Sequence, residues 1–197
     1  MSLQNTPTRW RMADIIACAV LAVAFGAVFQ AWNLVWAASE PLTTAYPPAS
    51  GLLYGVWLMP AVLAPLLVRK TGAAVFTEGF AALVSTMLGS AWGLLVVVQG
   101  FVQGLGGEAA FAAGRYKRYN IAVSVFAGAL SGLFATTWDV FVSYGATSLW
   151  AFKIPYILLA ALSGAVVAGL GSWALYKALL PTGAVNALAG GADRKRV

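Results

Sequence analysis

The sequence is poor in charged residues and contains no histidine. Only 9% of its 197 residues are Asp, Glu, Lys or Arg, whereas 61% are hydrophobic. A soluble domain carries about 25% charged residues, so these charges are too few to cover a surface that faces water. The composition therefore excludes an ordinary soluble protein and indicates an integral membrane protein surrounded by lipid.

Other absences narrow the function. Without histidine the chain has no imidazole proton relay and no His–Cys metal cluster. Its single cysteine, Cys18, has no partner for an internal disulfide and is expected to be a small core residue. A G-x-x-x-x-G-K-[ST] phosphate loop is also missing, which excludes ATP hydrolysis by that route. We therefore expect neither an enzyme nor a metal or cofactor site.

Long apolar runs predict an all-α fold of six transmembrane helices. A helix needs about 20 mostly apolar residues to cross the hydrocarbon core. The sequence offers six such stretches, the third of them short: residues 12–37, 51–68, 73–88, 93–114, 121–144 and 154–180. An arrangement with five crossings, in which the third stretch is re-entrant, remains open. Residues 1–180 then form one transmembrane domain, and residues 181–197 form a basic, loosely ordered cytoplasmic tail.

The basic residues support this topology. With six crossings, eleven of the twelve Lys and Arg residues fall on the side of both termini, and only Lys153 falls on the other side. Cytoplasmic loops carry the excess of Lys and Arg, so both termini are expected in the cytoplasm. The net charge of +6 thus follows membrane topology, and we expect no nucleic-acid partner.

Two glutamates interrupt the apolar stretches. Glu78 lies about six residues, roughly 9 Å, inside the third stretch, and a carboxylate at that depth is a candidate for function. Glu108 shares a helix face with Gly100 and Gly104, a spacing that allows helices to pack closely. We expect Glu78 to contact a substrate and Glu108 to be a structural carboxylate that pairs with a neighbouring helix.

Further polar and aromatic residues collect toward the outer side of the predicted bundle. Gln99 and Gln103 share a helix face, although interhelical hydrogen bonding would explain them equally well. Outer aromatic residues can form an interfacial belt or wall a pocket for a flat or cationic ligand. The candidate binding residues are Glu78, Gln99, Gln103, Asp139, Trp36, Glu40, Tyr54, Trp57, Trp92 and Trp138, with residues 39–50 as a lid. A small membrane protein with an outward cavity and no energy source suggests a binding subunit driven by partners.

One part of the chain is similar to a known family. The run "GAAVFTEGFAALVSTMLGSAWG…GFVQGLGGEAAFAAGRYKRY", residues 72–119, resembles the signature of YkoE-type proteins. These are substrate-binding (S) components of energy-coupling factor (ECF) transporters in prokaryotic plasma membranes. The combination of "QGLGGE" with "RYKRY" is its most specific part, and it contains Glu108.

The resemblance implies a ligand and partners. The ligand would be thiamine or its hydroxymethylpyrimidine (HMP) part, and a transmembrane coupling subunit with two ATPase subunits would supply energy. An A-x-x-x-A pattern on the first helix docks S components of this type onto the coupling subunit, and Ala13 and Ala17 match that pattern. Alternatives are an S component for riboflavin or biotin, a solitary secondary transporter, and a membrane protein without a transport function.

Overall fold

The computed structural model describes residues 9–196, and in this range the chain is helical and has no strand. A short 3-10 helix, Pro47–Val56, leads into α3, and π-helical turns precede and follow α7. The α-helices are α1 (Met12–Ala38), α2 (Glu40–Thr44), α3 (Met59–Val68), α4 (Ala73–Met87), α5 (Leu95–Ala113), α6 (Ile121–Val142), α7 (Ile154–Ser163) and α8 (Gly171–Leu179).

Five helical segments of the described residues are long and apolar enough to cross a membrane. They are Met12–Ala38, Pro47–Val68, Leu95–Ala113, Ile121–Val142 and Leu149–Leu179. The remaining predicted span corresponds to α4, which has 15 residues and measures only about 22 Å at 1.5 Å per residue. The all-helical membrane fold is therefore confirmed, whereas a sixth crossing through α4 and the side of the termini stay predictions.

Helix α3 forms the centre of the bundle. Every residue from Pro60 to Val68 is buried, and the helix packs against α1, α4, α5, α6 and α8. Its sequence, MPAVLAPLLV, is apolar on all sides, which is the pattern of a helix enclosed by other helices. The 3-10 helix before α3 contains Tyr54, and Trp57 follows directly after it.

Glycines set the helix spacing, as their four-residue repeats predict. On α5, a Cβ added to Gly104 would lie 2.7 Å from the Cα of Val75 on α4. On α6, a Cβ added to Gly132 would lie 2.5 Å from the carbonyl oxygen of Ala160 on α7. Larger side chains at these positions would push the helices apart, so the small residues allow the close backbone contact seen in membrane bundles.

The beginning of the C-terminal segment is packed against the bundle. Val185 is buried, the Tyr176 hydroxyl donates to the carbonyl oxygen of Gly190 at 2.8 Å, and Arg11 Nη2 donates to the carbonyl oxygen of Ala187 at 3.0 Å. Residues 181–192 therefore lie on the end of the bundle where α1 begins. The composition of the tail did not show this packing, because it depends on glycine fitting closely against α3.

Candidate functional site

A cavity opens at the end of the bundle where α1 ends and α5 begins. It encloses about 870 Å³ of empty space, counted out to its open mouth and including open solvent. Five elements contribute to its wall. Its lining includes Phe29, Asn33, Trp36, Tyr54, Trp57, Ser85, Ser90, Trp92, Gln99, Gln103, Trp138, Asp139 and Tyr144.

Asp139 supplies the carboxylate of this cavity. Gln99 Nε2 donates to its Oδ1 at 2.6 Å, and the hydroxyl of Tyr54 donates to Oδ2. The hydroxyl of Tyr156 lies 3.1 Å from Oδ2 and 2.8 Å from the Tyr54 oxygen. All three partners are uncharged, so they orient the carboxylate without neutralising it, and a ligand cation or amino group can still be attracted to it.

Aromatic rings form one wall of the cavity. The ring centroid of Trp36 lies 5.3 Å from that of Trp57, 5.9 Å from that of Trp92 and 6.0 Å from that of Tyr54. Four of the five close pairs among Trp36, Tyr54, Trp57 and Trp92 meet edge to face. Aromatic quadrupoles favour this arrangement. The wall therefore offers rigid aromatic surface next to a carboxylate, which suits a flat ring that carries a positive charge or an amino group.

Known proteins resemble this chain over almost its whole length. A family described as the permease component of an ABC-type cobalt transport system matches residues 13–134. A protein of Bacillus subtilis (strain 168), YkoE, whose name describes an HMP/thiamine permease, is 35% identical over 191 residues, which is 95% of this chain and 93% of the relative. A crystal structure of an S-component of an ECF transporter matches with a TM-score of 0.88 and 35% identity, covering 95% of this chain and 94% of that one.

The chain belongs to the YkoE-type S components of ECF transporters. It is therefore an integral plasma-membrane protein and a transport subunit, in agreement with its apolar helices. The signature in residues 72–119 thus identified the family correctly.

Most candidate residues of this S component meet in one place. Eight of the ten predicted binding residues line the cavity, and only Glu78 and Glu40 lie elsewhere. The eight are Trp36, Tyr54, Trp57, Trp92, Gln99, Gln103, Trp138 and Asp139. Their contacts with a ligand stay a prediction, but their shared location agrees with it.

Glu78 lies inside the bundle and does not line the cavity. It is fully buried, and its Oε2 accepts a hydrogen bond from the backbone nitrogen of Ala61 at 2.9 Å. Ala61 is in the first turn of α3, where backbone N–H groups have no partner within the helix. The structure therefore gives Glu78 the geometry of a helix cap, and depth in the membrane alone did not distinguish a cap from a ligand contact.

Glu108 connects the two loops at the opposite end of the bundle. Its Oε1 accepts from the backbone nitrogen of Gly72 at 2.6 Å and from the hydroxyl of Tyr116 at 2.8 Å. Its Oε2 accepts from the backbone nitrogen of Ala74 at 3.1 Å. Burial and the hydrogen bond to this carboxylate raise the pKa of Tyr116 above its usual value, so the hydroxyl stays a donor. These contacts support the structural role predicted for Glu108, although the predicted neighbouring helix contributes backbone rather than side-chain groups.

The lid predicted over residues 39–50 is mostly helical. Glu40 begins the short helix α2, and Pro47 begins the 3-10 helix. Ser39, Glu40, Thr43, Pro47 and Ser50 line a second cavity beside the first. The segment thus lies next to the main cavity but does not form its wall.

Several residues at the site were not predicted, among them Asn33, Ser90 and Tyr156. Asn33 and Ser90 line the cavity, and Tyr156 lies behind Asp139 without reaching the cavity surface. Asn33 lies between Phe29 and Trp36 on one face of α1, at intervals of four and three residues, and this spacing would have revealed it. Tyr156 gave no signal, because its role depends on how α7 packs against α6.

Ala13 and Ala17, the predicted docking residues, lie in the first turns of α1. Both are half-buried, and Ala17 packs against the hydrophobic core of the chain. Docking through them stays a prediction.

Proposed function

We propose that this chain is the S component of an ATP-driven ECF importer that captures thiamine or HMP from outside the cell. Two observations support the proposal: the relative named for HMP and thiamine and the cavity that combines a carboxylate with aromatic walls. The main observation for a ligand with a cation or an amino group is that the carboxylate of Asp139 accepts hydrogen bonds only from neutral donors.

The chemistry of thiamine fits these residues. Its aminopyrimidine carries an amino group that can donate to Asp139, and its thiazolium ring carries a positive charge. The amides of Gln99 and Gln103 can both donate to and accept from the edge of a pyrimidine. Trp36 and Trp57 can face the flat rings and the charge. The family description mentions cobalt, but one carboxylate among aromatic rings suits an organic ligand better than a metal ion.

The proposal includes a topology and partners. With α4 as the third crossing, both termini lie in the cytoplasm and the cavity faces outward, since eleven of twelve basic residues then lie inside. Residues 1–180 form the substrate-binding domain and residues 181–197 the cytoplasmic tail. A coupling subunit would dock at Ala13 and Ala17, and two ATPase subunits would drive reorientation of the loaded chain.

Tryptophan fluorescence tests the ligand directly. Four of the eight tryptophans line the cavity: Trp36, Trp57, Trp92 and Trp138. The purified chain is titrated with thiamine, HMP, riboflavin, biotin and Co²⁺. We expect saturable quenching by thiamine or HMP, and no response to either would contradict the proposal. Reconstitution in liposomes separates the transport alternatives, because uptake without the ATPase subunits would identify a solitary transporter.

A further inference from the structure

A second cavity lies beside the first and is lined by residues of the 39–50 segment. It encloses about 830 Å³ of empty space, counted out to its mouth and including open solvent. Trp36 and Tyr144 line both cavities, so these two side chains form the partition between them. A molecule that moves from the second cavity to Asp139 would pass this pair.

The second cavity has its own recognition chemistry. Glu40, at the start of α2, contributes an exposed carboxylate. Trp36, Tyr144 and Phe152 contribute aromatic rings, and the rings of Tyr144 and Phe152 lie with centroids 4.8 Å apart. A carboxylate beside several aromatic faces is an environment that attracts an organic cation. Glu40 and Phe152 do not line the inner cavity, so the inner site does not account for them.

We propose that this outer cavity is a separate capture site for organic cations, from which the ligand passes between Trp36 and Tyr144 to the inner cavity. The inference rests on the proposed function, because it takes thiamine as the cationic ligand. The burial of the two carboxylates sets the order in which the ligand meets them, because Glu40 is exposed and Asp139 is only 7% exposed. A hydrated carboxylate binds a cation weakly and quickly, and a buried one binds it tightly.

The charges around the outer cavity make the inference specific. Lys153 directly follows Phe152, and its Nζ donates to the carbonyl oxygen of Gly145 at 2.9 Å, next to Tyr144. It is the one basic residue predicted on this side of the membrane. An approaching cation is therefore attracted by Glu40 and repelled by Lys153. Removing the charge of Glu40 should slow its association, and removing the charge of Lys153 should accelerate it.

Stopped-flow fluorescence with two ligands tests the role of charge. Thiamine is a cation and HMP is neutral at pH 7, so HMP serves as an internal control. We expect Glu40→Gln to slow thiamine association about two- to five-fold at low ionic strength, with less effect in high salt. Lys153→Gln should accelerate it, and neither variant should alter HMP association. Equal slowing of both ligands by Glu40→Gln, or no slowing of thiamine, overturns the inference.

A bulky substitution tests the path. Thr43 lines the outer cavity, whereas its neighbour Thr44 is exposed and does not line it. If ligand passes through this cavity, Thr43→Trp should slow association and dissociation of both ligands together and change the Kd less than two-fold. Thr44→Trp is the matched control and should leave both rates unchanged. Normal rates in a folded Thr43→Trp protein place the path elsewhere and overturn the inference.

Different results contradict the proposed function and the outer capture site. A wild-type chain that binds neither thiamine nor HMP at equilibrium overturns the proposed function together with this inference. A wild-type chain that binds thiamine, but whose association rate does not depend on Glu40, overturns the outer capture site alone.

Discussion

Asp139 carries the charge of the cavity, and its hydrogen bonds come from side chains of three other elements. Gln99 reaches it from α5, Tyr54 from the 3-10 helix and Tyr156 from α7. A buried carboxylate with several donors has a well-defined orientation, which is what binding of a small ligand requires. At the scale of single residues, this one side chain therefore has the strongest expected effect on affinity.

Asp139→Asn should weaken thiamine binding about 10- to 100-fold. The asparagine keeps the shape of the side chain but loses the charge, and a hydrogen bond to a charged group contributes about 1.5–3 kcal/mol. Fluorescence titration measures the Kd, and the unfolding temperature shows whether the protein is intact. An unchanged Kd in a folded variant would assign the ligand to another part of the cavity.

Glu78→Gln should leave the Kd for thiamine within about two-fold. The amide oxygen can still accept from the backbone nitrogen of Ala61, and Glu78 does not line the cavity. Glu78→Leu removes the acceptor and should lower stability by about 1–3 kcal/mol, because a buried N–H is left without a partner. A large loss of affinity in Glu78→Gln would restore the substrate contact expected from the sequence.

At the scale of helices, glycine contacts and helix ends decide how the bundle is assembled. A Cβ at Gly128 on α6 would collide with the carbonyl oxygen of Gly164 at the end of α7, whereas the nearest atom to a Cβ at Gly145 is 4.0 Å away. Backbone atoms cannot move aside as a flexible side chain can, so the two glycines differ strongly in what they tolerate.

Gly128→Ala should therefore destabilise the bundle by about 1–3 kcal/mol, while Gly145→Ala should be neutral. Thermal unfolding in detergent, followed by fluorescence, compares the two variants. A neutral Gly128→Ala would mean that the backbones at Gly128 and Gly164 separate easily, contrary to their close contact.

Glu108→Gln should lower stability by about 1–3 kcal/mol, since three hydrogen bonds lose their charged acceptor. Tyr116→Phe removes one of the three and should have a smaller effect. Both variants should keep the affinity for thiamine, because Glu108 and Tyr116 lie outside the cavity lining. Weakened binding without a lower unfolding temperature would contradict the structural role.

At the scale of the whole molecule, the number of crossings decides which loops face the cell exterior. Helix α4 is the element in question, because its 15 residues are fewer than the about 20 needed to cross the hydrocarbon core without local thinning. The loops at its two ends contain Thr71 and Ala91, which are both exposed.

Single cysteines in a Cys18→Ala background test the topology. If α4 crosses the membrane, Ala91→Cys should react with a membrane-impermeant maleimide in intact cells, and Thr71→Cys should react only after the cells are permeabilised. Ala146→Cys and Lys117→Cys provide the corresponding outer and inner references, since both residues are exposed. Labelling of Thr71→Cys in intact cells would rule out the six-crossing arrangement with cytoplasmic termini.

Local composition was sufficient for some features of this protein. Apolar runs, charges and short motifs indicated the lipid surroundings, the helical class, the approximate helix limits and the family signature. These features are local, because each depends only on residues close together in the sequence. The shared location of the eight predicted residues could also be predicted, because polar and aromatic residues near one end of a helix bundle tend to lie close together there.

Only the tertiary structure showed which groups the carboxylates contact. Glu78, Glu108 and Asp139 are all acidic residues within apolar stretches, and in the sequence only the glycine spacing beside Glu108 indicated a structural role for one of them. Glu78 meets a helix start, Glu108 meets two backbone nitrogens and a tyrosine, and Asp139 meets the cavity. The sequence determined that carboxylates would be buried, and a buried carboxylate needs hydrogen-bond donors. The packing of helices that are distant in sequence determined which donors each one meets and whether a cavity for a ligand lies beside it.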